Sequence, residues 1–449
     1  MFGIKTKLKK IINKRLSKFY TFDEEFIHVN PIFDIRFLDK KIGDYALTII
    51  PSPVTIPQIN QNKIAFLASD LWDTGGHSEL LKNTIQAFSG TCKTKLFLTK
   101  KTLLERRASM RIAQIKDYAE ISGVDFYSKN IIHEKQLLND LFNQILEFSP
   151  AMLIAFFHFD SFAVGLLALL KKYTSIKIIF CNHSTQHSVI GMSFAHIIWE
   201  GMPATAYVTQ KYRGFKNTKV FRLCYLKKEY LPVFSEQEIL NARQEIGIPE
   251  GSYCTMTGCN SYKLFDNTGS LYLEMIKKLL ENNENLWHVL ITDLTKDQEK
   301  ILKRINIPNR FILMSQKINY RIYFKCADVF IDSIPFTSAN TIIDLMSLKV
   351  PVVAWKNKDN LIFSFHEYLP LNYSYLFENI FDMQTGIEKL LYDKIERKQI
   401  ANENYEYFLK NFEGDIFVHN FLEANSCDPE FDEELYKDYK EIKLLPWGK

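Results

Sequence analysis

Between Phe330 and Trp355 the chain alternates in a way that leaves few folds open. An apolar run ends at Asp332, a polar turn Pro335-Phe-Thr-Ser-Ala-Asn-Thr341 follows, and a helical pattern starts near Ser338. A second apolar strand runs from Pro351 to Trp355. Strand, turn, helix and strand within so few residues make a βαβ unit, which requires a parallel sheet with right-handed crossovers. The turn places small and hydroxyl residues where a helix begins. Free backbone N–H groups and the positive end of the helix dipole suit such a place to phosphate. Asp344 follows about one turn into the helix, within reach of a sugar hydroxyl. A capped helix in any α/β domain would show the same pattern.

A chain of 449 residues has material for two or three domains. With 47% hydrophobic and 14% aromatic residues it is globular. A net charge of +4 is too small to suggest a nucleic-acid partner. No apolar run reaches the roughly 18 to 20 residues of a membrane span. The seven cysteines are scattered with no CxxC pair, the pattern of reduced structural thiols in a cytoplasmic protein. There is no internal repeat.

The first twenty residues hold seven Lys or Arg and no acid, with Phe2, Ile4, Leu8, Ile11, Ile12, Leu16 and Phe19 near helical spacing. Such a basic amphipathic helix is expected to make a peripheral contact with an anionic membrane surface or to pack on the protein itself. It lacks the apolar core of a secretory signal. Residues 21 to about 60, with Pro31, Pro51, Pro53 and Pro57, read as an irregular lead-in.

A first domain, residues 61–240, opens with the strand Lys63 to Ala68. Gly75-Gly76 then allows a sharp turn and close approach of a ligand, with a helix from His77 or Ser78. Further strands are expected at Thr94 to Leu98, Val124 to Tyr127, Ala151 to Phe159 and Ile176 to His183. Helices are expected from Leu103 to Gly123, Glu134 to Phe148 and Leu166 to Tyr173. His77, His158, His183 and His187 thereby reach the carboxyl edge of the sheet, where open α/β folds bind ligands. They lack metal-ligand spacing, so no metal is expected. Imidazole titrates near neutral pH, and general acid/base work or hydrogen bonding to a polar substrate fits better.

A link is expected from Lys227 to Ser252, then a second domain over residues 250–400, with a helical tail from 401 to 449. The second domain starts with the strand at Tyr253 and the polar loop Gly258 to Lys263. It continues through the helix Ser270 to Asn282, the strands Trp287 to Thr292 and Arg310 to Ser315, and the βαβ unit described above. Lys263 and the turn at 337–341 fall on one sheet edge, a cation opposite a helix N-terminus, as a diphosphate requires. The chain reads as helical from Ile387 to Phe412 and beyond, ending in the acidic-aromatic stretch Asp428 to Tyr439.

Two tandem Rossmann-like domains with these turns, in an α/β architecture with a central cleft, resemble a GT-B glycosyltransferase. The second domain is similar to the catalytic region of O-GlcNAc transferase and its bacterial relatives. The resemblance rests on Asn260-Ser-Tyr-Lys263, on Ala327-Asp-Val-Phe-Ile-Asp-Ser-Ile-Pro335 and on Asn340-Thr-Ile-Ile-Asp344. It implies that Lys263 holds the diphosphate of a nucleotide sugar, that Asn340 and Thr341 donate to it, and that Asp344 binds the ribose. Asn260 and Ser338 belong to the same donor set, and the backbone from Ser315 to Lys317 faces the base. On the acceptor side His77 or His183 acts as base, with Gly75, Gly76, His158 and His187 binding the acceptor. The implied activity is a hexosyltransferase-like transfer from a UDP-sugar to a hydroxyl of a glycan or protein, without metal or other cofactor.

Two departures bear on mechanism. Ala339 stands where the O-GlcNAc relatives have histidine. Phe336 and Asp344 stand where many retaining GT-B enzymes carry two glutamates, which favours inversion. No helical repeats precede the catalytic part, so the acceptor does not carry over. Two other readings stay open, a sugar-nucleotide epimerase and a non-catalytic GT-B subunit that binds glycan or stabilises a partner transferase.

Overall fold

The computed structural model describes residues 35–53, 55–69, 76–99, 125–127, 134–157, 160–183, 189–265, 269–315, 319–357 and 364–426. The basic segment 1–20, the expected helix 103–123, Gly75, His158, His187, Lys317 and the stretch 428–439 lie outside them. The described chain forms two compact units, residues 35–221 and 222–426.

The first unit is built on seven strands, β1 (Asn60–Ala68), β2 (Lys93–Leu98), β3 (Asp125–Tyr127), β4 (Pro150–Phe156), β5 (Lys177–Cys181), β6 (Ile197–Glu200) and β7 (Thr218–Val220). They form one sheet in the order β3-β2-β1-β4-β5-β6-β7 with every pairing parallel. Leu67, Leu153 and Phe180 in the central strands are fully buried, as a sheet covered on both faces demands. Helices Gly76–Phe88, Glu134–Phe148 and Ser161–Tyr173 make the crossovers between β1 and β5 where the chain is described. Asp160 starts the last of these by accepting the N–H groups of Phe162 and Ala163 at 3.1 Å.

The stretch expected to be an irregular lead-in contains a helix, Arg36–Ile49. Ile35, Leu38, Ile42 and Ala46 form its buried stripe at the i, i+3, i+4 spacing of a packed helix. It lies on helix Ser161–Tyr173 at glycines. A Cβ on Gly165 would stand 3.1 Å from the Ala46 methyl, and one on Gly43 would stand 2.6 Å from the Phe194 ring. Buried Asp39 accepts the backbone N–H groups of Gly191 at 2.6 Å and Ser193 at 3.0 Å. The four prolines that suggested irregularity flank this helix and leave its interior free.

The second unit holds β8 (Tyr253–Gly258), β9 (Leu286–Ile291), β10 (Phe311–Met314), β11 (Val329–Ile331), β12 (Val352–Trp355) and β13 (Leu376–Phe377). The sheet order is β10-β9-β8-β11-β12-β13, again parallel throughout. The division between the units falls at Phe221 and Arg222, and the expected link belongs to the second unit. Its helix Glu236–Ile246 opens with a capping box of Ser235 and Glu238 and closes at Gly247 with φ 92°. Arg243 ties that helix to the Cys326 carbonyl at 2.8 Å and to that of Ser252.

The stretch expected to be helical from Ile387 onward is helical, as Ile380–Tyr392 and Lys394–Asn411, parted at Asp393, which leaves helical geometry and caps the second through Glu396 N–H. Helix Lys394–Asn411 packs on helix Ala339–Ser347, so the start of the expected tail is part of this unit. No described helix is long and apolar enough to cross a membrane.

Candidate functional site

In the second unit β8 and β11 are neighbours, and both end at the same edge. The chain leaving β8 makes the 3-10 turn Ser261–Leu264, and the chain leaving β11 makes the turn from Asp332 to Ser338. That topology brings Lys263 onto the later turn. Its ammonium donates to the Thr337 carbonyl at 2.7 Å and to Ser338 Oγ at 3.3 Å. Ser333 Oγ closes the turn by donating to the Phe336 carbonyl at 2.7 Å and lies 3.1 Å from Ser338 Oγ.

Helix Ala339–Ser347 starts here, and the Ser338 side chain makes no capping bond to it. Asn340 and Thr341 are half-buried at that start. The result is a positive helix end with an ammonium held beside it, the arrangement that binds phosphate elsewhere. Burial lowers the Lys263 pKa, while Cys259 and Asp332 push it the other way.

Asp332, which from the sequence reads only as the end of a strand, is the hub of this turn. It is fully buried, and its Oδ1 accepts the N–H groups of Ser333 at 2.8 Å and Ser338 at 3.1 Å. Oδ2 is buried without a hydrogen-bond partner among the described residues. Burial pushes the carboxyl up to about 7 against the opposing pull of Lys263. The pattern that concealed it is ordinary, an aspartate closing a strand.

Asn260 is exposed at the start of the Ser261–Leu264 turn, and its carbonyl accepts the Lys263 N–H at 3.0 Å. Ser315 is exposed just past β10, two strands from β8 and so roughly 10 Å along the same edge.

Asp344 does not fit the role of ribose ligand. It is 3% exposed, and its carboxylate is taken up inside the unit. Arg321 Nε donates to Oδ1 at 2.8 Å, the Tyr225 hydroxyl donates to the same oxygen, and Tyr320 donates to Oδ2 at 2.7 Å. The Arg321 guanidinium also lies 5.5 Å from the Tyr225 ring and 5.3 Å from that of Tyr320. Burial alone would lower the Arg321 pKa; Asp344, Tyr225 and Tyr320 together more than reverse that and raise it. Burial, then Asp344, raises the Tyr225 pKa. The carboxylate therefore braces two helices and the segment that opens the unit.

In the first unit His77 sits at the start of helix Gly76–Phe88, after β1, and His183 follows β5. β4 separates the two strands, yet the imidazole rings meet with centroids 4.0 Å apart, and His77 lies 6.4 Å from the Phe156 ring that ends β4. The Cys181 carbonyl lies 3.3 Å from His183 Nδ1. Gly76 is exposed at the same helix start.

Behind His183 lies a buried polar cluster. Asn182 donates to Glu200 Oε1 at 2.6 Å, Thr209 donates to the same oxygen, and Arg213 donates to Thr209 at 3.1 Å. Burial raises the Glu200 pKa and lowers that of Arg213 to about 10, each countered by the other's charge. The signal for it was the glutamate closing the apolar run Ile197-Ile-Trp-Glu200. Among the described residues no group of three His, Cys, Asp or Glu side chains is placed to hold a metal ion.

Comparison of the whole chain with solved structures decides the architecture. A glycosyltransferase from Rickettsia africae superposes with a TM-score of 0.62 at 12% identity, over 85% of this chain and 100% of that one. The architecture is the GT-B fold. Anabaena Alr3699/HepE, solved in complex with UDP and glucose, matches this GT-B chain with a TM-score of 0.60 at 14% identity, over 82% of this chain and all of its own. An O-GlcNAc transferase from Thermobaculum terrenum matches at 0.54 and 12% identity, over 92% of this chain and 76% of that one. No family model matches the chain, and no curated protein does.

Proposed function

We propose that the protein is a glycosyltransferase that moves a sugar from a nucleotide-diphospho-sugar, a UDP-sugar, to an acceptor hydroxyl. The observation that carries this is the Lys263 ammonium seated on Thr337 and Ser338 at the start of helix Ala339–Ser347. As the bond between the sugar carbon and the diphosphate oxygen breaks, negative charge grows on the leaving group. Preorganised donors aimed at developing charge are a large source of catalysis. Lys263, Asn340, Thr341 and the first N–H groups of the helix supply positive potential there without a divalent metal.

The acceptor side is assigned to the first unit. His77 or His183 takes the proton from the acceptor hydroxyl as its oxygen bonds to the sugar carbon. Inversion is favoured because Phe336 has no carboxylate and the Asp344 carboxylate is committed to Arg321, Tyr225 and Tyr320. The acceptor is a cell-surface glycan or a protein, reached from the cytoplasmic side, with the basic segment 1–20 against anionic lipid.

A thermal-shift panel of UDP, GDP, ADP and their common sugar conjugates, with and without EDTA, tests the reading, since ligands that bind only the folded state raise its melting temperature. A selective rise with uridine nucleotides that EDTA leaves unchanged is expected. A flat panel would contradict it and favour the non-catalytic subunit.

A further inference from the structure

We propose that Asp332 is a positioning residue of the donor site and the group that takes up a proton when the diphosphate arrives. The inference rests on the donor-site reading above and adds a regulated step to it. The turn that would meet the diphosphate is already organised around an anion, because Asp332 Oδ1 gathers the N–H groups of Ser333 and Ser338. The same turn holds the Lys263 ammonium through Thr337 and Ser338. An incoming diphosphate therefore finds a carboxylate sharing its cation.

Like charges disfavour each other's ionised forms, and the carboxylate is the one that can be neutralised by a proton. The proton has a place to go, since Oδ2 is buried without a hydrogen-bond partner among the described residues. The charged and titratable groups that bear on Asp332 are the Lys263 ammonium and the Cys259 thiol, both on the chain leaving β8. Cys259 is pushed up to about 12 by burial and stays neutral. On the other side β12 offers its backbone, with Asp332 N–H donating to the Val353 carbonyl at 2.9 Å, and the side chains Val352 and Val353 are apolar. Lys263 is thus the one cation that the carboxylate and the diphosphate share among these groups. A carboxyl resting near 7 is half ionised at neutral pH, so donor binding there takes up to about half a proton, and affinity weakens as pH rises.

The test is calorimetric titration of UDP-glucose into the full-length protein near neutral pH, in two buffers of different ionisation enthalpy. UDP-glucose is the probe because its diphosphate is esterified at both ends, whereas a terminal phosphate titrates at about 6 and would confuse the proton count. The expected result is a buffer-dependent heat that reports proton uptake and a Kd that rises between about pH 7 and pH 8. In Asp332→Asn both the uptake and the pH dependence of Kd should vanish, a readout that a merely structural role would not move. Binding by the wild-type protein with no proton uptake overturns this inference and leaves the donor site standing, whether or not the variant folds. Absence of binding by UDP-glucose and by UDP overturns the donor-site reading, and this inference with it.

Discussion

Asp344 and Arg321 form an ion pair, and removing Arg321 leaves the Asp344 carboxylate, its side chain 4% exposed, buried without its counter-ion. Breaking such a pair costs about 3–5 kcal/mol, because the remaining ion keeps its desolvation penalty. Arg321→Ala should therefore lower unfolding stability by about that amount in urea titration, far beyond the loss of a single surface contact. His288 gives a second test, with a definite sign. Its ring lies 2.9 Å from Thr255 Oγ1 and 2.7 Å from the Tyr272 hydroxyl, and burial lowers its pKa to about 3. Below about pH 6.5 the unfolded chain binds a proton there that the folded chain refuses. The stability difference between wild type and His288→Phe should fall by about 1.4 kcal/mol per unit as pH drops from about 6 to about 4.5, and stay level above about 7. Urea midpoints across that range would show it. The placement of Lys263 beside the turn at 337–338 was legible in the sequence because it is local, a cation a few residues past a strand. Asp344 was misread because its partners Arg321 and Tyr225 lie 23 and 119 residues away, and only the fold brings them together.

At the scale of elements, close approach is enforced at a few glycines. A Cβ on Gly258, at the end of β8, would meet the Phe324 ring at 2.5 Å. Gly258→Ala should cost about 1–3 kcal/mol by overpacking and displace the start of the turn that carries Lys263. Thermal melts with and without UDP would separate the two effects. The strands of the central sheets and helix Glu134–Phe148 were legible because each is a long apolar run or a clear periodic stripe. β6, β7 and β13, four, three and two residues long, were not read as strands from the sequence. Helix Arg36–Ile49 had a readable stripe at Ile35, Leu38, Ile42 and Ala46, but flanking prolines outweighed it. Its packing, through Gly43 against Ala168 and Phe194 and through Ala46 on Gly165, depends on residues more than a hundred positions later.

For the whole molecule, the two-unit division carries a prediction. Every described member of the proposed donor set, Asn260, Lys263, Ser315, Ser338, Asn340 and Thr341, lies within residues 222–426, which have their own sheet and core. A protein spanning residues 222–449 should fold cooperatively and bind UDP while showing no transfer, as melting and glycan-product assays would establish. Lys263 and the helix start are proposed to bind a nucleotide diphosphate, which calorimetric titration of UDP into wild type and Lys263→Ala would test. Wild type should bind UDP, and Lys263→Ala should bind it at least about tenfold more weakly, roughly 1.4 kcal/mol, while remaining folded. Equal affinity in the two proteins, or no binding by wild type, would contradict it.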